Sequence, residues 1–98
     1  MKDLINRLAL AVIRCNSGHK TPICGFRLPD DLVVRGDNMV HFCVPSFDGN
    51  GKCDGVKVVI LKQTGISFDD VDTFKITVFD DQFDAQVNSL RAFVAAHR

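Results

Sequence analysis

Apolar positions recur along the first fifteen residues with the spacing of a helix. Leu4, Ile5, Leu8, Ala11, Val12 and Cys15 fall on one stripe of a helix read over residues 3–15, since residues three and four apart share a helical face. Leu10 and Ile13 lie off that stripe. This second apolar side reads as deep packing, with a homodimer contact through Leu10 and Ile13 as the alternative. Asn16-Ser17-Gly18 stops the helix.

Beyond residue 20 the period changes from helical to two. Ile23 to Leu28, bounded by Pro22 and Pro29, predicts a short strand, and Pro29 to Asn38 a turn, a short apolar piece and a second turn. Met39 to Val44 alternates, with Val40, Phe42 and Val44 on one face and Met39, His41 and Cys43 on the other. Val56 to Lys62 is β-branched and apolar on both faces, which marks a central strand. Phe74 to Phe79 alternates again, with Phe74, Ile76 and Val78 inward and Lys75 and Thr77 outward. At the end of the chain, Phe83, Val87, Leu90 and Val94 form a helical stripe. Asp80 or Asp81 can cap this helix, and Asp84 suits its first turn. The order α-β-β-β-β-α predicts one α+β domain over residues 1–98. Its antiparallel meander of three to four strands carries the N- and C-terminal helices, with Val58, Ile60 and Phe83 in the core.

Composition narrows this reading without changing it. The chain has 98 residues, 46% hydrophobic and 24% charged, enough for one globular domain that folds without metal or disulfide staples. Its eight aromatics are all Phe, so the amphipathic Trp and Tyr anchors common at binding surfaces are missing. No apolar run is long enough to span a bilayer. The run "LALAVI" lies between Arg7 and Arg14 without a cleavage site after it. The expectation is a cytoplasmic protein with no membrane partner, in which Cys15, Cys24, Cys43 and Cys53 stay reduced.

The stretch "SFDGNGKCDG", Ser46 to Gly55, concentrates candidate chemistry. A calcium loop fails on it, because Lys52 stands where a carboxylate belongs and Val59 where the closing Glu belongs. A phosphate loop fails too: Ser46 replaces the first glycine, Cys53 the Ser/Thr, and a strand follows instead of a helix. A hairpin tip remains. Cys53 is expected to be exposed there, with Lys52 favouring its thiolate and Asp54 opposing it. Cys15, His19, Cys24 and Cys43 do not match the ligand spacing of structural zinc, and no metal or other cofactor is expected. His41 and Cys43 share a strand face, which keeps a small Cys/His enzyme as an alternative. No orienting group or oxyanion site for it is visible, and no catalytic residue is assigned.

Charge is balanced in sum and uneven in place. All twelve acids are Asp and the net charge is zero. Residues 1–29 hold five basic side chains against one acid; residues 30–89 hold five against eleven. Arg7, Arg14, Lys20 and Arg27 form a basic third that could face nucleic acid, but no stacking motif accompanies it and direct nucleic-acid binding is not expected. Asp69, Asp70 and Asp72 precede the strand at Phe74, and Asp80, Asp81 and Asp84 follow it. Turns and caps recruit Asp, and a magnesium site would need carboxylates converging on one point. The functional reading is a partner surface. The chain is expected to be a small non-enzymatic interaction module, an inhibitor or adapter presenting these six aspartates to a basic, nucleic-acid-handling protein.

Overall fold

The computed structural model describes residues 2–36 and 38–97, so Asp37 of the expected turn lies outside the described residues. Helix α1, Lys2–Asn16, buries Leu4, Leu8, Ala11, Val12 and Cys15, the stripe its spacing predicts. Its second apolar side is not packed: Leu10 and Ile13 stand in solvent.

The segment that follows departs from expectation. Residues 23–28 form no strand; the short helix α2, Thr21–Cys24, and a 3-10 turn, Asp30–Leu32, occupy this stretch. Pro22 sits in the first turn of α2, where its missing N–H and fixed φ cost nothing. Ile23, Leu28 and Leu32 are buried one at a time, four or five residues apart, which coils the chain over the core instead of laying it along a sheet edge.

Three strands follow: β1, Met39–Phe47; β2, Cys53–Thr64; and β3, Ser67–Thr77. They form one antiparallel meander in the order β1-β2-β3, so the apolar β2 is central, as predicted. The two-residue turn Gly65–Ile66 joins β2 to β3, with Gly65 at φ 66°, the positive φ required at the first central position of a type II′ turn. This turn carries β3 further than its sequence suggests. The strand starts at Ser67 and ends at Thr77, so Asp69, Asp70 and Asp72 lie within it, and Val78 and Phe79 lie outside. A bulge where Ile60 and Leu61 face Asp72 and Asp70 leaves Val71 as the extra residue.

Helix α3, Phe83–Ala96, buries Phe83, Val87, Leu90 and Val94, again the predicted stripe. Neither Asp80 nor Asp81 caps it, contrary to expectation. The N-cap is Gln82, and Asp80 Oδ1 instead accepts the Gln82 N–H at 2.6 Å, one step before the helix.

The molecule has two layers. The helices lie on one face of the sheet and enclose Cys43, Val56, Val58, Ile60 and Ile76. Three contacts clamp the layers together. Asn16 pairs its side-chain amide with both backbone groups of Cys53, at 2.8 and 2.9 Å. Gln86 Oε1 accepts from the N–H and the hydroxyl of Thr77, at 2.7 Å each. The Phe74 and Phe93 rings meet at 5.3 Å. Among the described residues no helix lies on the opposite face of the sheet, and Val40, Phe42 and Val44 are exposed there. Beyond Ile60 and Phe74 the β2–β3 hairpin continues with little or nothing beneath it, and Ile66 at its tip is 100% exposed.

Candidate functional site

The stretch from Ser46 to Gly55 is a hairpin tip, as its glycines imply. Asp48 organises it: Oδ1 accepts the N–H groups of Asn50 and Lys52 at 2.8 and 3.0 Å, and the Asp48 N–H donates to the Lys52 carbonyl. A carboxylate closing its own turn in this way is a common device.

Topology then gives the tip a second role. The Val78 N–H donates to the Asp54 carbonyl at 3.0 Å, which draws the chain after β3 alongside the start of β2. Between them, below the end of α1, lies a cavity of about 380 Å³ lined by Asn16, Asp48, Lys52, Cys53, Asp54, Thr77, Phe79 and Asp80. Asp48, Asp54 and Asp80 supply three carboxylates and Lys52 one ammonium. Asp54 Oδ2 pairs with Lys75 at 3.3 Å, while its Oδ1 is shut off from solvent with no hydrogen-bond donor. The Phe79 ring is 65% exposed beside them.

The six predicted aspartates divide between two places. Asp80 lines the cavity, with Asp81 and Asp84 exposed in the turn and first helical turn next to it. Asp69, Asp70 and Asp72 stand on the distal part of β3, eight to eleven residues before Asp80. Two of these already have local partners: Asp69 accepts from the Thr64 hydroxyl at 3.2 Å, and Asp72 from the Thr73 N–H at 2.8 Å. Sequence reading missed Asp48, Asp54 and Phe79 because only the pairing of Val78 with Asp54 brings them to Asp80. One signal was available: Phe79 is a large apolar residue set directly before two acids.

The thiols differ from expectation. Cys53 is buried, not exposed, and donates to the Gly55 carbonyl at 3.4 Å. Burial, with the neighbouring Cys15 and Asp54 adding to it, pushes its pKa up to about 11; Lys52 does not activate it. Cys43 is also buried, and burial followed by the nearby Cys24 raises it to about 11. Burial lowers the pKa of His41. At neutral pH Cys43 and Cys53 are therefore held as protonated thiols. Among the described residues no cluster of three or more His, Cys or Asp side chains is placed to hold a metal ion, and no helix is long and apolar enough to cross a membrane.

No family model, curated protein or solved structure matches the chain.

Proposed function

We propose that the protein is a small non-enzymatic interaction module that binds a basic partner protein, taking a lysine or arginine side chain into the acidic cavity between the β1–β2 tip and the start of α3. The observation that carries this reading is the convergence of Asp48, Asp54 and Asp80 on one cavity. Three carboxylates against the ammonium of Lys52 favour a guanidinium or ammonium entering it. The exposed Phe79 ring offers a face for cation–π contact. Asp81 and Asp84 extend the field at the rim, where they would steer encounter more than hold the complex. An inhibitor or adapter of a nucleic-acid-handling protein is one role such a module could fill, since those proteins present basic grooves.

The test uses an arginine-rich peptide and a matched peptide with glutamine in place of arginine, titrated into isotope-labelled protein. The expected result is that only the arginine peptide shifts the amide signals of residues 48–54 and 77–81. Asp80→Asn and Phe79→Ala should each weaken its affinity roughly fivefold. The Asp80→Asn effect should shrink with added salt, because screening length falls from about 30 Å at 0.01 M to about 3 Å at 1 M. Equal binding of both peptides, or affinity indifferent to both variants, would overturn the reading.

A further inference from the structure

We infer that the uncovered face of the sheet is a self-association surface on which a second copy of this chain packs, sheet against sheet. An antiparallel sheet with helices on one face ordinarily turns polar residues to water on the other. Here β1 sends Val40, Phe42 and Val44 outward, and β2 adds Val59 and Leu61 beside them through the pairs Val40–Leu61 and Phe42–Val59. Phe42, in the middle row of this face on the edge strand β1, is 51% exposed. A contiguous apolar patch of this kind marks an association site.

Charge on the same face selects the occupant. Cross-strand partners share a face, so the rows across the sheet can be read from the register: Val44, Lys57 and Lys75; then Phe42, Val59 and Thr73; then Val40, Leu61 and Asp70. On this face Lys57 and Lys75 stand at one end, Lys75 already paired with Asp54 at 3.3 Å, and Asp70 stands at the other. A two-fold axis lying along the middle row brings these opposite charges together between copies. That operation sets the Lys57–Lys75 end of each copy over the Asp70 end of the other, and brings Phe42 against its own equivalent. The surface is thus self-complementary, which is the requirement of an isologous dimer.

The sheet edges point the same way. β1 carries Pro45, which can donate no ladder hydrogen bond, and β3 carries Asp69, Asp70, Asp72 and the bulge at Val71. Both edges bear features that block edge-to-edge pairing.

Sedimentation equilibrium over a concentration series tests the inference, with circular dichroism to confirm that each variant folds. The wild-type chain should dimerise reversibly in the micromolar range. Phe42→Asp, at an exposed position, should fold normally and weaken dimerisation by at least roughly a hundredfold. Asp70→Lys should weaken it about tenfold, and Lys57→Asp added to Asp70→Lys should recover part of the loss. A monomer at every concentration would overturn the inference. So would a dimer that survives Phe42→Asp but dissociates with Ile13→Asp, which would place the contact on α1. Phe42, Lys57 and Asp70 do not line the acidic cavity, so either proposal can fail without the other.

Discussion

Gly55 shows how one residue can set the spacing of a sheet. It pairs with Thr77 across β2 and β3, and a Cβ built on it would overlap the carbonyl of Ile76. The neighbouring strand approaches where a side chain would stand. Gly55→Ala should therefore force the strands apart and destabilise the protein by about 3 kcal/mol, read as a lower urea midpoint. Gly49→Ala, in open space at the β1–β2 tip, should cost far less.

The thiols make a second prediction at this scale. Cys24 is exposed, whereas Cys15, Cys43 and Cys53 are buried. A disulfide-exchange reagent at mildly alkaline pH should modify one thiol quickly in the native state and four after denaturation. The pKa values of Cys43 and Cys53 rise from an ordinary 9.0 to about 11 on folding. Between those values the folded chain holds protons that the unfolded chain has released, so stability should fall as pH climbs from 9 to about 11. His41 acts in the opposite direction. Its folded pKa lies below 6.5, so its contribution is present above that value and is lost as pH falls below it. Thermal melts across this range, with Cys43→Ala and His41→Gln as comparisons, check both limbs.

At the scale of elements, the legible parts were those where one face is buried and the period is long. α1 and α3 each bury the stripe that their spacing predicts. Phe83 is 5% exposed, and Phe83→Ala should cost about 3–5 kcal/mol, measured by chemical denaturation. β2 was readable because it is apolar on both sides, although only one side is covered. The alternation of β1 gave two faces without saying which one meets the core; the helices chose Met39, His41 and Cys43. What could not be read has physical causes. Residues 21–32 coil because Ile23, Leu28 and Leu32 plug gaps between layers, a spacing that no period describes. The distal half of β3 is rich in Asp, a poor strand former, and is extended only because the Gly65 turn and the ladder with β2 hold it there. The cavity was hidden for a related reason: it joins residues 48–54 to residues 77–80, and sequence order carries no trace of that adjacency.

For the whole molecule, charge and apolar surface are distributed to different ends and faces. The acidic cavity occupies one end of the sheet, the acidic distal strand the other, and the bare apolar face lies between them. A chain of zero net charge can in this way hold two surfaces of different character. The β2–β3 turn divides the molecule in another sense. On one side of it are α1, α2, β1 and β2; on the other are β3 and α3, and the core is built from both. Gly65 and Ile66 carry no part of that core. The chain should therefore tolerate being cut there. Residues 2–65 and 66–97, produced separately, should recognise each other and rebuild the native fold on mixing, because the β2–β3 ladder and the contact of α3 with the Asp30–Leu32 turn join the two pieces without the covalent link. Recovery of the native circular dichroism spectrum and of a single heteromeric species checks this, and fragments that stay unfolded when mixed would refute it. Fused to two other proteins, the halves would then report their proximity, an ability that follows from nothing more than a turn placed beyond the edge of the core.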